Sequence, residues 1–92
     1  MALQFDPDAL KQIPKSEAKR LVDKCEWLWA NRRVVAHTLL REDLNPFLKW
    51  RVGDYRIVYS YDSESDEMYV HLVGHRRDIY KRATQRLNRP SR

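Results

Sequence analysis

Five residues in the second half of the chain have the types and the spacing to hold a phosphate and a base: Lys49, Arg51, Arg56, Arg76 and Tyr80. Lys49 and Arg51 alternate with Leu48, Trp50 and Val52, so in a strand both cations project from the same face. Gly53-Asp54 is a two-residue hairpin signal. Beyond it, Arg56 has the opposite parity to Tyr55, Ile57 and Tyr59 and joins that face. Arg76 and Tyr80 follow the next strand at a short reach. Arginine forks match phosphate oxygens bidentately, and a tyrosine ring stacks on an unpaired base. The bland reading is a set of ordinary surface charges on an antiparallel sheet. Like charges repel, and a bound phosphate would account for their gathering; the pattern alone leaves both readings open.

The elements that must position these residues are legible in outline. Leu3 to Phe5 reads as a very short strand, and Asp6-Pro7 as the N-cap and first residue of a short helix closed by Pro14. A longer helix opens at Lys15 or Ser16. Its stripe of Ala18, Leu21, Val22, Cys25, Leu28 and Trp29 recurs at helical spacing and ends near Asn31. Residues 32–46 read as a connection with a strand around Val34 to Leu40. Three strands follow: Leu48 to Val52, Tyr55 to Tyr61 and Met68 to Gly74, with a polar loop from Asp62 to Glu67. Their links are too short for crossovers, so they form an antiparallel meander. A closing helix over Arg77 to Leu87 turns Ile79, Tyr80, Ala83 and Leu87 inward, and Asn88 to Arg92 should fray. The expected fold class is α+β: an N-terminal helical hairpin packed on an antiparallel β-meander with a C-terminal helix, the helices on one face of the sheet.

Composition bounds the rest. The 92 residues are enough for one domain, spanning 1–92, and too few for two. Hydrophobic residues at 42% and charged residues at 34% suit a folded globule. No apolar run approaches the roughly 20 residues of a membrane span, and no signal peptide is evident, so the expectation is cytoplasmic with no membrane partner. Cys25 is the single cysteine; it makes neither an internal disulfide nor a zinc site, and its place on the apolar stripe reads as core packing. The net charge is +5, while the segment from His75 onward carries seven basic residues against Asp78, or +6. A positive field clustered in this way suits a polyanion or an acidic protein.

The run LKWRVGDYRIVYSY at Leu48 to Tyr61, followed by VGHRRDIY at Val73 to Tyr80, resembles the RelE/ParE superfamily of bacterial toxins, its RelE-like branch in particular. DALKQIPKSEAKRL at Asp8 to Leu21 resembles the family's helical hairpin, and HTLLREDLNPF at His37 to Phe47 its linker. The resemblance implies the toxin of a type II toxin–antitoxin system. It further implies a ribosome-dependent endonuclease that cuts mRNA in the ribosomal A site and inhibits translation, using neither a metal nor another cofactor. The 2′-hydroxyl would attack the adjacent phosphate, leaving a 2′,3′-cyclic phosphate (or 3′-phosphate) and a 5′-hydroxyl. The implied partners are a cognate antitoxin and the 70S ribosome with its mRNA and ribosomal RNA.

Carried across by motif, the catalytic set is Lys49, Arg51, Arg56, Arg76 and Tyr80. Arg77, Lys81 and Arg82 of the basic closing segment are expected to bind substrate. One position departs from the family's common form: the second member of the basic pair is Arg51 rather than lysine. Arginine stays protonated and makes a poor general base. Lys49, crowded by other cations, is the better base. Arg51 and Arg56 would hold the phosphate, Arg76 would stabilise developing charge or the leaving oxygen, and Tyr80 would orient the nucleotide. His75 is an open question between a structural and a catalytic role, the structural one favoured; His71 reads as a packed strand residue, and His37 has no assigned role. Trp27 lies off its helix's stripe and is expected to be exposed, as an antitoxin or dimer contact. Two other classes remain: a ParE-like inhibitor of DNA gyrase without nuclease activity, and a binding-only module whose cations serve the antitoxin.

Overall fold

The computed structural model describes residues 2–87; the expected fraying of Asn88 to Arg92 lies outside them. The chain runs β1 (Ala2–Phe5), α1 (Lys15–Ala30), β2 (Thr38–Leu39), a single 3-10 turn at Glu42–Leu44, β3 (Leu48–Val52), β4 (Tyr55–Asp62), β5 (Glu67–His75) and α2 (Ile79–Leu87). The strands form one sheet in the order β1-β5-β4-β3-β2. β3, β4 and β5 make the expected antiparallel meander, and β1 adds in parallel against β5, with Leu3 opposite Met68. Gly53 takes φ 57° in the β3–β4 turn, a conformation that costs glycine nothing, and this sets Val52 opposite Tyr55 and Arg51 opposite Arg56.

The first half of the expected helical hairpin is not an α-helix. After β1 the chain makes successive tight turns, with Ala9 N donating to Asp6 O, Lys11 N to Asp8 O and Ile13 N to Leu10 O. The stretch between Pro7 and Pro14 is too short to repay the cost of helix nucleation. The Ala9 carbonyl is also spent elsewhere, accepting the Val73 N–H at 3.0 Å and thereby tying these turns to β5. The long helix matches its stripe: Leu21, Cys25 and Leu28 are fully buried. It ends where Asn31 folds back, its Nδ2 donating to Trp27 O at 2.8 Å. The next residue, Arg32, forks onto both Asp66 carboxylate oxygens at 2.7 and 2.8 Å, fastening the end of α1 to the β4–β5 turn.

The helices lie on both faces of the sheet, not one. α1 covers Val52, Ile57, Tyr59, Met68, Val70 and Val73. α2 buries Ile79 and Ala83 on the other face, against Val58 and Leu72, with Leu40 and Leu44 alongside. The strands record this double coverage: Ile57-Val58 and Leu72-Val73 are consecutive buried apolar residues, where a sheet wet on one side would alternate. A β-bulge between Val58 and Tyr59 adjusts the register at this point. Gly74 lies close under α2: a Cβ there would lie 3.0 Å from Ile79 Cδ1 and would displace the flexible end of Arg82. α2 begins at Ile79, two residues later than expected, since the chain first turns through Asp78, whose N–H donates to His75 O.

Candidate active site

Lys49 and Arg51 leave β3 on the face that carries Val58, and Arg56 joins them from β4 as the direct cross-strand partner of Arg51. This is the face α2 covers, so with α1 on the opposite face the expectation of helices on one face only is corrected here too. One end of α2 overhangs the cations and delivers Tyr80 to them. Lys49 Nζ donates to the Tyr80 hydroxyl oxygen at 3.2 Å and stands 5.7 Å from the ring centroid. Thr38, Lys49, Trp50, Arg51, Arg56 and Tyr80 line a cleft of about 340 Å³, the size of a small-ligand site. Three cations and no carboxylate line it. A concave wall of one charge focuses field on whatever anion enters.

Four of the five expected catalytic residues therefore meet in one cleft. Arg76 does not line it. Its Nε lies 3.4 Å from Asp54 Oδ1 and its backbone N–H donates to Asp54 O at 2.7 Å, which places it at the hairpin turn, two residues past the register partner of Arg56. Arg56 itself is folded onto the same turn, Nη1 donating to Gly53 O and Tyr55 O, both at 3.0 Å. Exposed ion pairs of the Arg76–Asp54 kind contribute little stability, so a phosphate competes readily for that guanidinium.

Of the three expected substrate-binding residues, Arg77 and Lys81 are exposed and outside the cleft's lining. Arg82 faces away from the cleft, beside Val73 O at 3.5 Å. It lines a separate cavity of about 520 Å³ with Asp8, Gln12, Leu72, Gln85 and Arg86. Arg82 is therefore apart from the cation cleft, because helical geometry turns residues two apart to different sides.

Sequence reasoning missed the clamp that holds Tyr80. Thr84 Oγ1 donates to Tyr80 O at 2.8 Å and accepts from Arg41 Nη2 at 2.8 Å, while Arg41 forks onto Asp43 at 2.7 and 3.0 Å. The 3-10 turn is thus tied to the helix turn that carries Tyr80. The i, i+4 relation of Tyr80 and Thr84 was visible in the sequence, but the partner 43 positions away from Thr84 was not.

The histidines have packing partners. His75 Nδ1 accepts the Arg77 N–H at 3.1 Å, and its ring meets Tyr55 edge-on. His71 Nε2 pairs with Ser60 Oγ at 2.9 Å, and burial lowers its pKa. His37 bridges Tyr59 OH at 2.6 Å and Arg32 O at 2.8 Å, a connecting role the sequence did not disclose. Cys25 is buried, and desolvation pushes its thiol up to about 12, as suits core packing. Trp27 is 47% exposed, as its position off the stripe required. Among the described residues, no three His, Cys, Asp or Glu side chains gather as metal ligands, and no helix is long and apolar enough to cross a membrane.

Residues 3–80 match the family described as the ParE toxin of the type II toxin–antitoxin system parDE. A variant of the Escherichia coli toxin RelE in the free state superposes with a TM-score of 0.65 at 25% identity, over 92% of this chain and 95% of that one. RelE in the intact E. coli RelBE toxin–antitoxin complex gives 0.59 at 26% identity, over 79% and 93%. The RelBE2 toxin–antitoxin complex of Mycobacterium tuberculosis gives 0.69 at 21% identity, over 80% and 95%, a likeness of fold. No curated protein matches the sequence. A family match spanning most of the chain, on a five-stranded sheet shared with RelE, makes the protein a member of the ParE toxin family, within the RelE/ParE superfamily of type II toxin–antitoxin toxins.

Proposed function

We propose that this toxin is a RelE-type, ribosome-dependent mRNA endonuclease that works without metal. The observation that carries the reading is the acid-free cleft in which Lys49, Arg51, Arg56 and Tyr80 converge, with Lys49 Nζ on the Tyr80 hydroxyl. A ParE-like gyrase inhibitor has no need of a lysine aimed at a tyrosine in a cleft that two arginines also line.

In this mechanism the ribose 2′-hydroxyl attacks the adjacent phosphorus. The new O–P bond forms as the bond to the 5′-oxygen breaks, giving a 2′,3′-cyclic phosphate and a 5′-hydroxyl. Lys49 Nζ, acting as the neutral amine, takes the 2′-hydroxyl proton and becomes the ammonium, and the leaving oxygen is protonated from water. Arg51 and Arg56 hold the phosphate and the charge that develops on it, Arg56 exchanging the Gly53 and Tyr55 carbonyls for phosphate oxygens. Arg76 swings from Asp54 to the leaving side, and Tyr80 presents its ring to a neighbouring base. Arg77 and Lys81 supply field outside the cleft, acting on the ribosome rather than on the cut. Such a toxin works in the cytoplasm and is held inactive by a cognate antitoxin, as in the RelBE assemblies it resembles.

The test is primer extension on a defined mRNA in programmed 70S ribosomes, with and without EDTA. Cleavage at the A-site codon, absent without ribosomes and lost in Lys49→Ala, supports the reading. The second reading, gyrase inhibition, is favoured by the description of the family that matches. Intact mRNA together with inhibited DNA supercoiling would establish it instead. Intact mRNA with normal supercoiling and retained antitoxin binding would leave a binding module.

A further inference from the structure

A second groove adjoins the cation cleft. Arg20, Lys24, Trp27, Trp50, Arg51, Val52 and Gly53 line a cavity of about 370 Å³. Trp50 and Arg51 border both spaces. The continuity has a structural cause: β2 pairs only with Leu48 and Lys49, so the edge of β3 from Trp50 to Val52 carries no β2 partner. A chain leaving the cleft can therefore pass round that edge onto the α1 side. There it meets Trp27, whose ring centre lies 5.8 Å from that of Trp50 with the planes tilted by 34°. Trp27 keeps nearly half of its surface in water, apolar area that a stacked base would cover.

The charge is of one sign here too. No carboxylate lines the groove. Arg20 is held by Glu17 at 2.6 Å, whereas Lys24 is exposed and has no ion pair among the described residues. Aromatic faces interleaved with cations are the pattern of single-strand recognition, in which bases stack and phosphates follow the positive charge.

We propose that the Trp27–Trp50 groove is a nucleotide subsite, binding unpaired bases of the same RNA strand whose phosphate occupies the Lys49–Arg51–Arg56 cleft. The proposal rests on the RNA reading of that cleft. Trp27 provides a stacking face, Lys24 a phosphate contact, and Arg51 the link between the two spaces. The subsite would extend the strand held by one chain beyond the nucleotides beside the cut.

The test compares single-stranded RNA of three and six nucleotides, each with a 2′-deoxy sugar at the cutting position, by fluorescence anisotropy on the full chain at low salt. The hexamer is expected to bind more tightly than the trimer. Trp27→Ala and Lys24→Glu should each weaken the hexamer by roughly tenfold and leave the trimer unchanged, while Trp27→Phe retains most of the affinity. Equal hexamer affinity in wild type and Trp27→Ala overturns the subsite, as does failure of the wild type to bind the hexamer. Weakened binding of intact ribosomes with unchanged hexamer affinity also overturns it, because the groove then meets another RNA. Weakened antitoxin binding with unchanged RNA affinity assigns it to a protein partner. Cleavage on ribosomes reads the cleft separately, so failure of the subsite and failure of the nuclease reading are distinguishable.

Discussion

Lys49 Nζ meets the Tyr80 hydroxyl at 3.2 Å although the two residues lie 31 positions apart, on an edge-side strand and on a helix packed over the same face of the sheet. The contact joins the candidate base to the candidate base-stacking ring. Tyr80→Phe keeps the ring and removes the oxygen, so ribosomal cleavage should slow by about tenfold. Tyr80→Ala should slow it by about 100-fold, and Lys49→Ala by about 100-fold to 10,000-fold. Single-turnover cleavage rates check all three, with thermal melting to show that the fold persists. A Lys49→Ala variant that cleaves at the wild-type rate would remove lysine from the mechanism.

Arg51 and Arg56 face each other across β3 and β4 with no carboxylate lining their cleft. Arg51→Ala should lower the cleavage rate by about 100-fold to 1,000-fold. The same change relieves like-charge repulsion, so thermal stability should hold or rise slightly. Melting curves and cleavage rates measured on one preparation read the two effects in opposite directions.

The clamp through Arg41 and Thr84 acts on Tyr80 by position alone. Thr84→Val conserves shape but loses both hydrogen bonds. Amide hydrogen exchange should accelerate in α2, and the cleavage rate should fall by severalfold with little change in substrate affinity. An unchanged exchange rate would show that the packing of Ile79 and Ala83 holds the helix by itself.

Asp66 has its carboxyl held well below the usual carboxylate range, chiefly by its hydrogen bonds from Arg32, with Tyr61 and Arg33 adding to the effect. The pKa is lower in the folded chain than in the unfolded one. The interaction therefore stabilises fully above the unfolded carboxylate pKa and is lost as pH falls through that value toward the folded one. Melting temperatures of wild type and Asp66→Asn should differ most at neutral pH and converge in acid. A gap that stays constant down to strong acid would contradict the ion pair.

Cys25 is sealed under α1, with its thiol pushed up to about 12 by burial. A thiol reagent at neutral pH should label the native protein far more slowly than the protein in denaturant. Rapid labelling of the folded chain would show that α1 opens from the sheet.

Local order is what the sequence determined by itself. The alternation over Leu48 to Val52 put Lys49 and Arg51 on one face, and Gly53-Asp54 put Arg56 opposite Arg51, because strand parity and turn length are near-neighbour properties. The stripe of α1 was legible for the same reason. Tertiary structure alone decided what lies over those faces. Ile79 and Ala83 gain burial against Val58, Leu72, Leu40 and Leu44, and this brings α2 and Tyr80 over Lys49 while turning Arg82 away. The Ala9 carbonyl bonds to Val73 rather than within a helix, so the expected hairpin becomes turns. Arg76 stops at Asp54, at the mouth of the hairpin, because β5 ends there. The doubled apolar residues Ile57-Val58 and Leu72-Val73 carry a mark of coverage on both faces, which the expectation of helices on one face overlooked. Which element covered the cations was settled by burial between residues distant in sequence, which no periodicity records.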